Sequence, residues 1–306
     1  MGYNHSGGYE ELLVAFPRSI TPRDTAGDER PRHRVRISQP FEMSIHEVTV
    51  HQFRVFCNET GYRTTAEING EGIVGFAPIT AAETLQTGKR HLFARRPEFL
   101  WQSPGFEQTD SHPVVGVSWN DATAFCRWLS QKESVTCRLP TEAEWEYACR
   151  AGTETWFNFG NSFRNEIQRH ANIADLTLEK LHPELAMRQW LIDFHVDPED
   201  HFAFTAPTGS FEPNRWELYD MHGNVWEWCQ DSYRDDSYQG RIEADNPTID
   251  PLNTKSQDEL DDWQVIRGGS WCNGPILCRS GTRGFFAAGD ASCYIGFRIV
   301  REIDSQ

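Results

Sequence analysis

With 306 residues, 38% hydrophobic and 12% aromatic, the chain can bury a sizeable core and falls in the range of one or two domains. Its formal net charge of −16 sets it against a nucleic-acid partner, because a polyanion would be repelled. No apolar run is long enough to cross a bilayer and no charged-then-apolar export pattern opens the chain, so no membrane span and a cytoplasmic location are expected.

Residues 1–28 are polar and irregular and are read as an N-terminal segment; residues 29–306 are read as one domain, without linker or repeat. From Arg30 the run Arg-Pro-Arg-His-Arg-Val-Arg-Ile alternates into Phe41–Thr49, which predicts strands. Thr49 predicts the cap of a helix carrying Phe53, Val55 and Phe56. Residues 61–110 hold no sustained period and read as loops. Pro113–Trp119 predicts a short strand, and Asn120 or Asp121 the cap of a second helix with Ala122, Phe125, Cys126 and Leu129 on one face. Thr141 with Glu144 three residues on predicts a capping box for a third helix. Residues 152–260 show only short periodic pieces. Regular structure is scarce for a chain with 11 tryptophans, each needing a pocket and an indole N–H partner. Such a frame calls for metal ions or bonds between distant loops.

The eight cysteines, Cys57, Cys126, Cys137, Cys149, Cys229, Cys272, Cys278 and Cys293, form no C-x-x-C pair, so they read as buried reduced thiols, not as a zinc or thioredoxin site. The histidines are scattered, and His112 and His222 read as structural.

Five stretches carry more information. They are His112-Pro-Val-Val-Gly-Val-Ser-Trp-Asn-Asp-Ala122, Arg138-Leu-Pro-Thr-Glu-Ala-Glu-Trp-Glu-Tyr-Ala148, Leu218-Tyr-Asp-Met-His-Gly-Asn-Val-Trp-Glu-Trp228, Arg267-Gly-Gly-Ser-Trp271 and Gly296-Phe-Arg298. Together, and in this order, they resemble the sulfatase-modifying-factor family, the formylglycine-generating enzyme and its relatives. The resemblance implies an α+β, C-type-lectin-like fold with little regular secondary structure and two structural calcium ions. Carried over residue by residue, the first calcium site is Asn172, Ile173, Asp200 and Phe202, with Ile173 and Phe202 giving backbone carbonyls. The second is Asp220, Gly223, Val225 and Glu227, with Gly223 and Val225 giving carbonyls.

The family enzyme oxidises a cysteine of its target with oxygen and copper, and copper(I) prefers two soft thiolates. The resemblance places the first of those thiolates three residues after the Ser of Gly-Gly-Ser, and the second after four intervening residues. Here Ser270 is followed by Trp271, Cys272 and Asn273, so Cys272 stands one position out of register. Cys278 matches better a structural cysteine whose family partner falls at Cys149, which implies that these two are neighbours. Cys126 has lost its family partner, whose position holds Ile299. Ser270 and Trp226 match active-site residues, whereas Tyr294 replaces an Asn. A copper oxidase built on Cys272, Ser270 and Trp226, with Cys293 as second sulfur, is therefore the alternative reading.

The favoured reading is binding. The family includes variable proteins of diversity-generating retroelements, in which this C-terminal segment is diversified through Asn codons. Residues 272–294 lack Lys, Glu, Gln, Met and Trp, the residues such codons cannot yield. The candidate surface for a protein or small-molecule ligand is Cys272, Asn273, Gly274, Ile276, Leu277, Thr282, Phe285, Phe286, Ala291, Ser292, Cys293 and Tyr294, read as exposed apolar and polar residues on a rigid frame.

Overall fold

The computed structural model describes residues 1, 27–78, 92–161, 166–181, 200–239, 246–254 and 262–303. Most of the expected N-terminal segment, and His5, His91, His182 and His195, lie outside the described residues. In chain order, β1 (Val35–Arg36) and β2 (Phe41–Met43) precede α1 (Val50–Thr60), α2 (Thr65–Asn69), β3 (Ile73–Phe76) and β4 (Phe93–Arg96). Then come α3 (Trp119–Glu133), β5 (Cys137–Arg138), α4 (Glu142–Arg150), α5 (Ile167–His170) and α6 (Leu176–Leu181). The last part holds β6 (Trp226–Ser232), β7 (Thr248–Ile249), β8 (Trp263–Arg267), a 3-10 turn (Pro275–Cys278), β9 (Arg283–Ala287), β10 (Ile295–Gly296) and β11 (Val300–Glu302). This mixture of short helices and short strands is the expected α+β, C-type-lectin-like architecture.

Among the described residues the strands form four small sheets. The largest runs β10-β6-β8-β9, with β10 parallel to β6 and the other pairs antiparallel. A second joins β2, β11 and β5, so the C-terminal strand is pinned between two earlier ones. β3 pairs with β4, and β1 with β7.

Helices α1 to α4 each start at a side-chain cap. Thr49 and Thr141 cap α1 and α4, each within a capping box, as their sequence positions predict. The cap of α3 is Ser118, not Asn120 or Asp121; Asp121 instead serves as the box residue three positions on, its carboxylate accepting from the Ser118 N–H at 2.8 Å. The expected strand at Pro113–Trp119 is only an extended run, joined to Thr49 by a single bridge at Pro113 and turned at Gly116, whose φ is +71°. The loop reading of residues 61–110 missed α2, β3 and β4. The signal was there: Thr64 and Glu67 form another capping box, and Ile73-Val-Gly-Phe76 is a short apolar run.

An aromatic core gathers Phe53, Phe56, Phe125, Phe297 and Trp101 with the large sheet's Trp226 and Trp228. Several indoles reach across the frame: Trp119 donates to the Cys229 carbonyl, Trp228 to Val117 and Trp145 to the Glu227 carboxylate.

The core is also charged, and this explains the recognisable motifs. Arg298 donates to both Glu227 oxygens at 2.6 and 2.7 Å, with neither side chain exposed. Arg283 grips Glu142 in the same two-pronged way at 2.7 and 3.0 Å, and Arg279 grips Glu29 at 2.7 and 3.0 Å. Arg267 pairs with Glu146 and donates to the Ser280 and Gly281 carbonyls. A buried carboxylate paired this way is already satisfied, so removing one partner strands the other.

Candidate functional site

The loop after β8 leads into the segment with the altered cysteine pattern. Gly268 and Gly269 take φ of +100° and +77°, and a Cβ at Gly269 would fall 2.4 Å from the Cys278 sulfur, so only glycine fits beneath that thiol. Ser270, Cys272 and Asn273 then turn toward Trp226 on β6. The Ser270 hydroxyl donates to Asn273 Oδ1 at 2.6 Å, and the Trp226 indole N–H donates to the same oxygen at 2.8 Å. The Ser270 hydroxyl also lies 3.2 Å from the Cys272 sulfur. Asn273 is thus a clamped carboxamide at the third position after Ser270. Half-buried Leu277, Phe286 and Tyr294 pack against the core cluster that contains Trp226.

The surroundings do not favour thiolates. Burial pushes the Cys272 thiol up to about 12, with Ser270 easing it slightly, and drives Cys293 well above the ordinary thiol range. Cys272 and Cys293 share one core cluster with Trp271 and Ala291, and a charge on Cys272 would raise the Cys293 thiol further. An amide at Asn273 offers copper(I) a hard oxygen where the expected arrangement needs a soft sulfur, so the residues do not fit the family's dithiolate copper.

The twelve residues of the expected binding surface divide sharply. Cys272, Gly274, Ile276, Thr282, Ala291, Ser292 and Cys293 are buried, because the segment folds back through two apolar clusters and the 3-10 turn. This corrects the reading of 272–294 as one exposed surface. Asn273, Leu277, Phe286 and Tyr294 are half-buried, and Phe285 is exposed on β9, stacked on Tyr233 at 4.3 Å and meeting Trp263 edge-on.

All eight cysteines are free thiols. Cys149 and Cys278 are neighbours through His222: the Cys149 sulfur lies 3.8 Å from its Nε2, and its Nδ1 lies 2.7 Å from the Cys278 carbonyl. The Asn158 N–H donates to Nε2 at 3.0 Å, so Nδ1 carries the proton and donates. His112 accepts from the Thr109 N–H at 3.0 Å. Both histidines are satisfied structural groups. Cys126 is buried against the same cluster as Ile299.

Two groups of buried oxygens lie side by side, linked by Asn224. In the first, Asp200 accepts from the Ile173 and Phe202 N–H groups at 2.9 Å each, and its own N–H donates to Asp175 at 2.7 Å. Burial and the Asp175 charge push Asp200 up to about 8. Asn172 donates to the Phe204 carbonyl and to Asn224 Oδ1, while its own Oδ1 is buried without a hydrogen-bond partner. In the second, Asp220 accepts from the Gly209 N–H at 2.7 Å through one oxygen and leaves the other buried and unpartnered. Glu47 does likewise, one oxygen taking the Asn224 amide at 2.9 Å and the other left without a partner. Burial, then the Asp220 charge, raises Glu47 far above the carboxylate range. A Cβ at Gly223 would meet the Asn172 carbonyl at 2.1 Å, which fixes a glycine where the two groups touch. Val225 is fully buried beside them.

Three orphaned oxygens, on Asn172, Asp220 and Glu47, with paired carboxylates behind them, make an all-oxygen donor set of the kind a hard cation takes. Glu227 is held in the frame beside it, Oε2 accepting from Arg298 and Trp145 and Oε1 from Arg298 alone. Glu47, Asp175 and Asn224 were missed from the sequence. Asn224 sits inside the Gly-Asn-Val-Trp motif, and Asp175 lies three residues after Asn172, so both had a local signal; Glu47 had none. Among the described residues no three His, Cys, Asp or Glu side chains converge as a metal-binding group, so either oxygen set would draw on amides and carbonyls.

Comparison with known proteins bears on this geometry. The family described as sulfatase-modifying factor enzyme 1-like domain matches residues 11–303. The chain is 32% identical over 300 residues to the formylglycine-generating enzyme of Bos taurus, covering 92% of this chain and 70% of that one. It is 31% identical over 261 residues to the inactive C-alpha-formylglycine-generating enzyme 2 of Mus musculus, covering 81% and 68%. Among solved structures, PvdO from Pseudomonas aeruginosa aligns with a TM-score of 0.65 at 29% identity, covering 92% of this chain and 89% of that one. Treponema denticola variable protein 1 aligns at 0.56 with 21% identity, covering 86% and 84%, and shares the fold.

Proposed function

Given that the chain belongs to the family of sulfatase-modifying factor enzyme 1-like domains, we propose that it works by binding a ligand, not by dithiolate-copper oxidation. The observation that carries this reading is Asn273. Its carboxamide stands where the resemblance puts the first copper thiolate, and Ser270 and Trp226 both donate to it. Family membership does not decide the matter, since relatives named as the formylglycine-generating enzyme and as its inactive counterpart match at 32% and 31% identity.

The ligand, a protein side chain or a small molecule, would rest on the corner of Asn273, Leu277, Phe286 and Tyr294, the half-buried remnant of the 272–294 segment, with Trp226 buried behind Asn273. Aromatic walls with one fixed carboxamide suit a flat, largely apolar group with a single hydrogen-bonding edge. Calcium would stiffen the frame behind this corner through Asn172, Ile173, Asp175, Asp200 and Phe202, and through Glu47, Asp220, Gly223 and Val225. The Ala174 N–H donates to the Asn273 carbonyl at 3.0 Å, so the first oxygen group is tied to the binding corner. Of the twelve candidate positions, diversification would be restricted to Asn273, Leu277, Phe285, Phe286 and Tyr294, because changes at the seven buried ones would disturb the core.

A second reading rests on Cys272 and Cys293 sharing one cluster: a relocated thiolate pair that could take copper in an oxidase. Ligand-observed NMR with a library of aromatic fragments separates the two. Binding predicts hits that vanish in Phe286→Ala combined with Tyr294→Ala and survive Cys272→Ala. Hits absent from the wild type, or unaffected by the aromatic pair, would remove the binding corner from the account.

A further inference from the structure

The cationic run from Arg30 to Ile37 has no part in the site above. Arg32, Arg34 and Arg36 are all exposed, while His33 between them is buried and Val35 half-buried. Alternation along extended backbone puts the three guanidinium groups on one face, with a repeat of roughly 6.7 Å. Arg32 meets Glu154 at 3.0 Å. Among the described residues Arg34 and Arg36 form no ion pair, and the Asp250 carboxylate near Arg36 is taken by the Ser38 N–H and hydroxyl.

These arginines line a cleft of about 1520 Å³ that Tyr147 on α4 and Trp216 also line. That is larger than a typical small-molecule pocket. Tyr147 and Trp216 are 53% and 43% exposed, and their rings lie 4.8 Å apart, forming an open aromatic step beside the arginines. Among the described residues that line the cleft, the acidic side chains are Glu146, buried against Arg150 and Arg267, and Glu154, shared with Arg32. The described lining of this groove is thus locally cationic on a chain of net charge −16. None of its lining residues belongs to the 272–294 segment.

We propose that this cleft docks a short, extended, acidic segment of a partner protein. Carboxylates at alternate positions of the segment would match the arginine repeat, and one apolar or aromatic side chain would cover Tyr147 and Trp216. An extended peptide has the same two-residue repeat as the strand that receives it, and the arginine fork fits a carboxylate in two-pronged geometry. A long polyanion such as a sulfated glycan or nucleic acid is disfavoured, because it would run beyond the groove onto the acidic remainder of the surface.

The test is fluorescence anisotropy on the whole chain. The probe is a fluorescein-labelled dodecapeptide with Glu at alternate positions and a central Phe. Controls are the same composition with contiguous Glu, and a heparin-derived hexasaccharide as competitor. The alternating peptide should bind at 50 mM salt and weaken several-fold at 300 mM. Arg34→Ser and Arg36→Ser should each weaken it by up to about five-fold, and Trp216→Ala should weaken it independently of salt. Arg34→Lys with Arg36→Lys keeps the charge and should cost less than the serine pair, which guards against a folding artefact. No binding, equal binding by the contiguous-Glu peptide, an unchanged affinity in the Arg34→Ser/Arg36→Ser double variant, or displacement by a lower concentration of hexasaccharide would each overturn the proposal.

Discussion

Replacing Glu227 by Gln tests whether this carboxylate belongs to the frame or to a cation. It accepts from Arg298 at 2.6 and 2.7 Å and from the Trp145 indole at 2.7 Å, and neither Glu227 nor Arg298 is exposed. The substituted carboxamide could still accept from Trp145 through its oxygen. Its NH2 would face a donor of Arg298, whose buried charge would lose its hydrogen-bonded counter-ion and keep only the pull of the Glu47 and Asp220 carboxylates. Breaking a buried pair from one side costs about 3–5 kcal/mol. Arg298 keeps its hydrogen bonds to the Ser44 and Tyr219 carbonyls, which places the expected loss toward the lower end of that range. Urea unfolding at pH 7 in excess EDTA measures the loss with no divalent cation present. The double variant Glu227→Gln/Arg298→Met should recover part of it, because the stranded charge is gone. A loss below about 1 kcal/mol in EDTA, or one seen only when calcium is added, would refute the assignment of Glu227 to Arg298.

Other outcomes follow from the same geometry. Calcium at about 100 times its Kd should raise the melting temperature by on the order of 5 °C over EDTA-treated protein, and Asp220→Asn with Glu47→Gln should remove part of the shift; identical melts with and without chelator would discard the cation assignment. Asp231 is pushed up to about 7 by burial first and the Glu142 charge second. Its folded value lies above its unfolded one, so its contribution is most favourable below about pH 4 and is lost as pH rises through 7. Asp231→Asn should therefore gain stability relative to wild type across that window, and a constant difference between the two unfolding curves would contradict this. Native thiol labelling at pH 8 should be slow, since burial raises both Cys57 and Cys272 to about 12, and Cys57, the one cysteine that is not fully buried, should react first. Rapid labelling of Cys272 would count against its packing.

What was legible in the sequence depended on how local the physics was. The cap at Thr49, the capping box at Thr141 and the apolar face of α3 are short-range features and could be read directly. So could the satisfied state of His112 and His222, once they were placed inside fold motifs. α2, β3 and β4 were passed over because five- and four-residue elements hardly establish a period, although Thr64 and Glu67 gave a cap signal. The binding surface was misjudged for a different reason. Apolar residues such as Ile276 and Ala291 look the same in sequence whether they face solvent or two converging clusters, and only tertiary packing separates the cases. The destination of Glu227 was likewise invisible, because its partner Arg298 lies 71 residues away. Glu47, 177 residues from the Asn224 amide it accepts, had no local mark at all.

Anaerobic titration with copper(I) against a chromophoric chelator addresses the non-oxidase reading most directly. With Asn273 at the first ligand position, the wild type should release all its copper to the competitor, and Cys272→Ala should behave identically. Retention of one equivalent by the wild type, lost in either Cys272→Ala or Cys293→Ala, would establish a relocated thiolate pair and contradict the binding account.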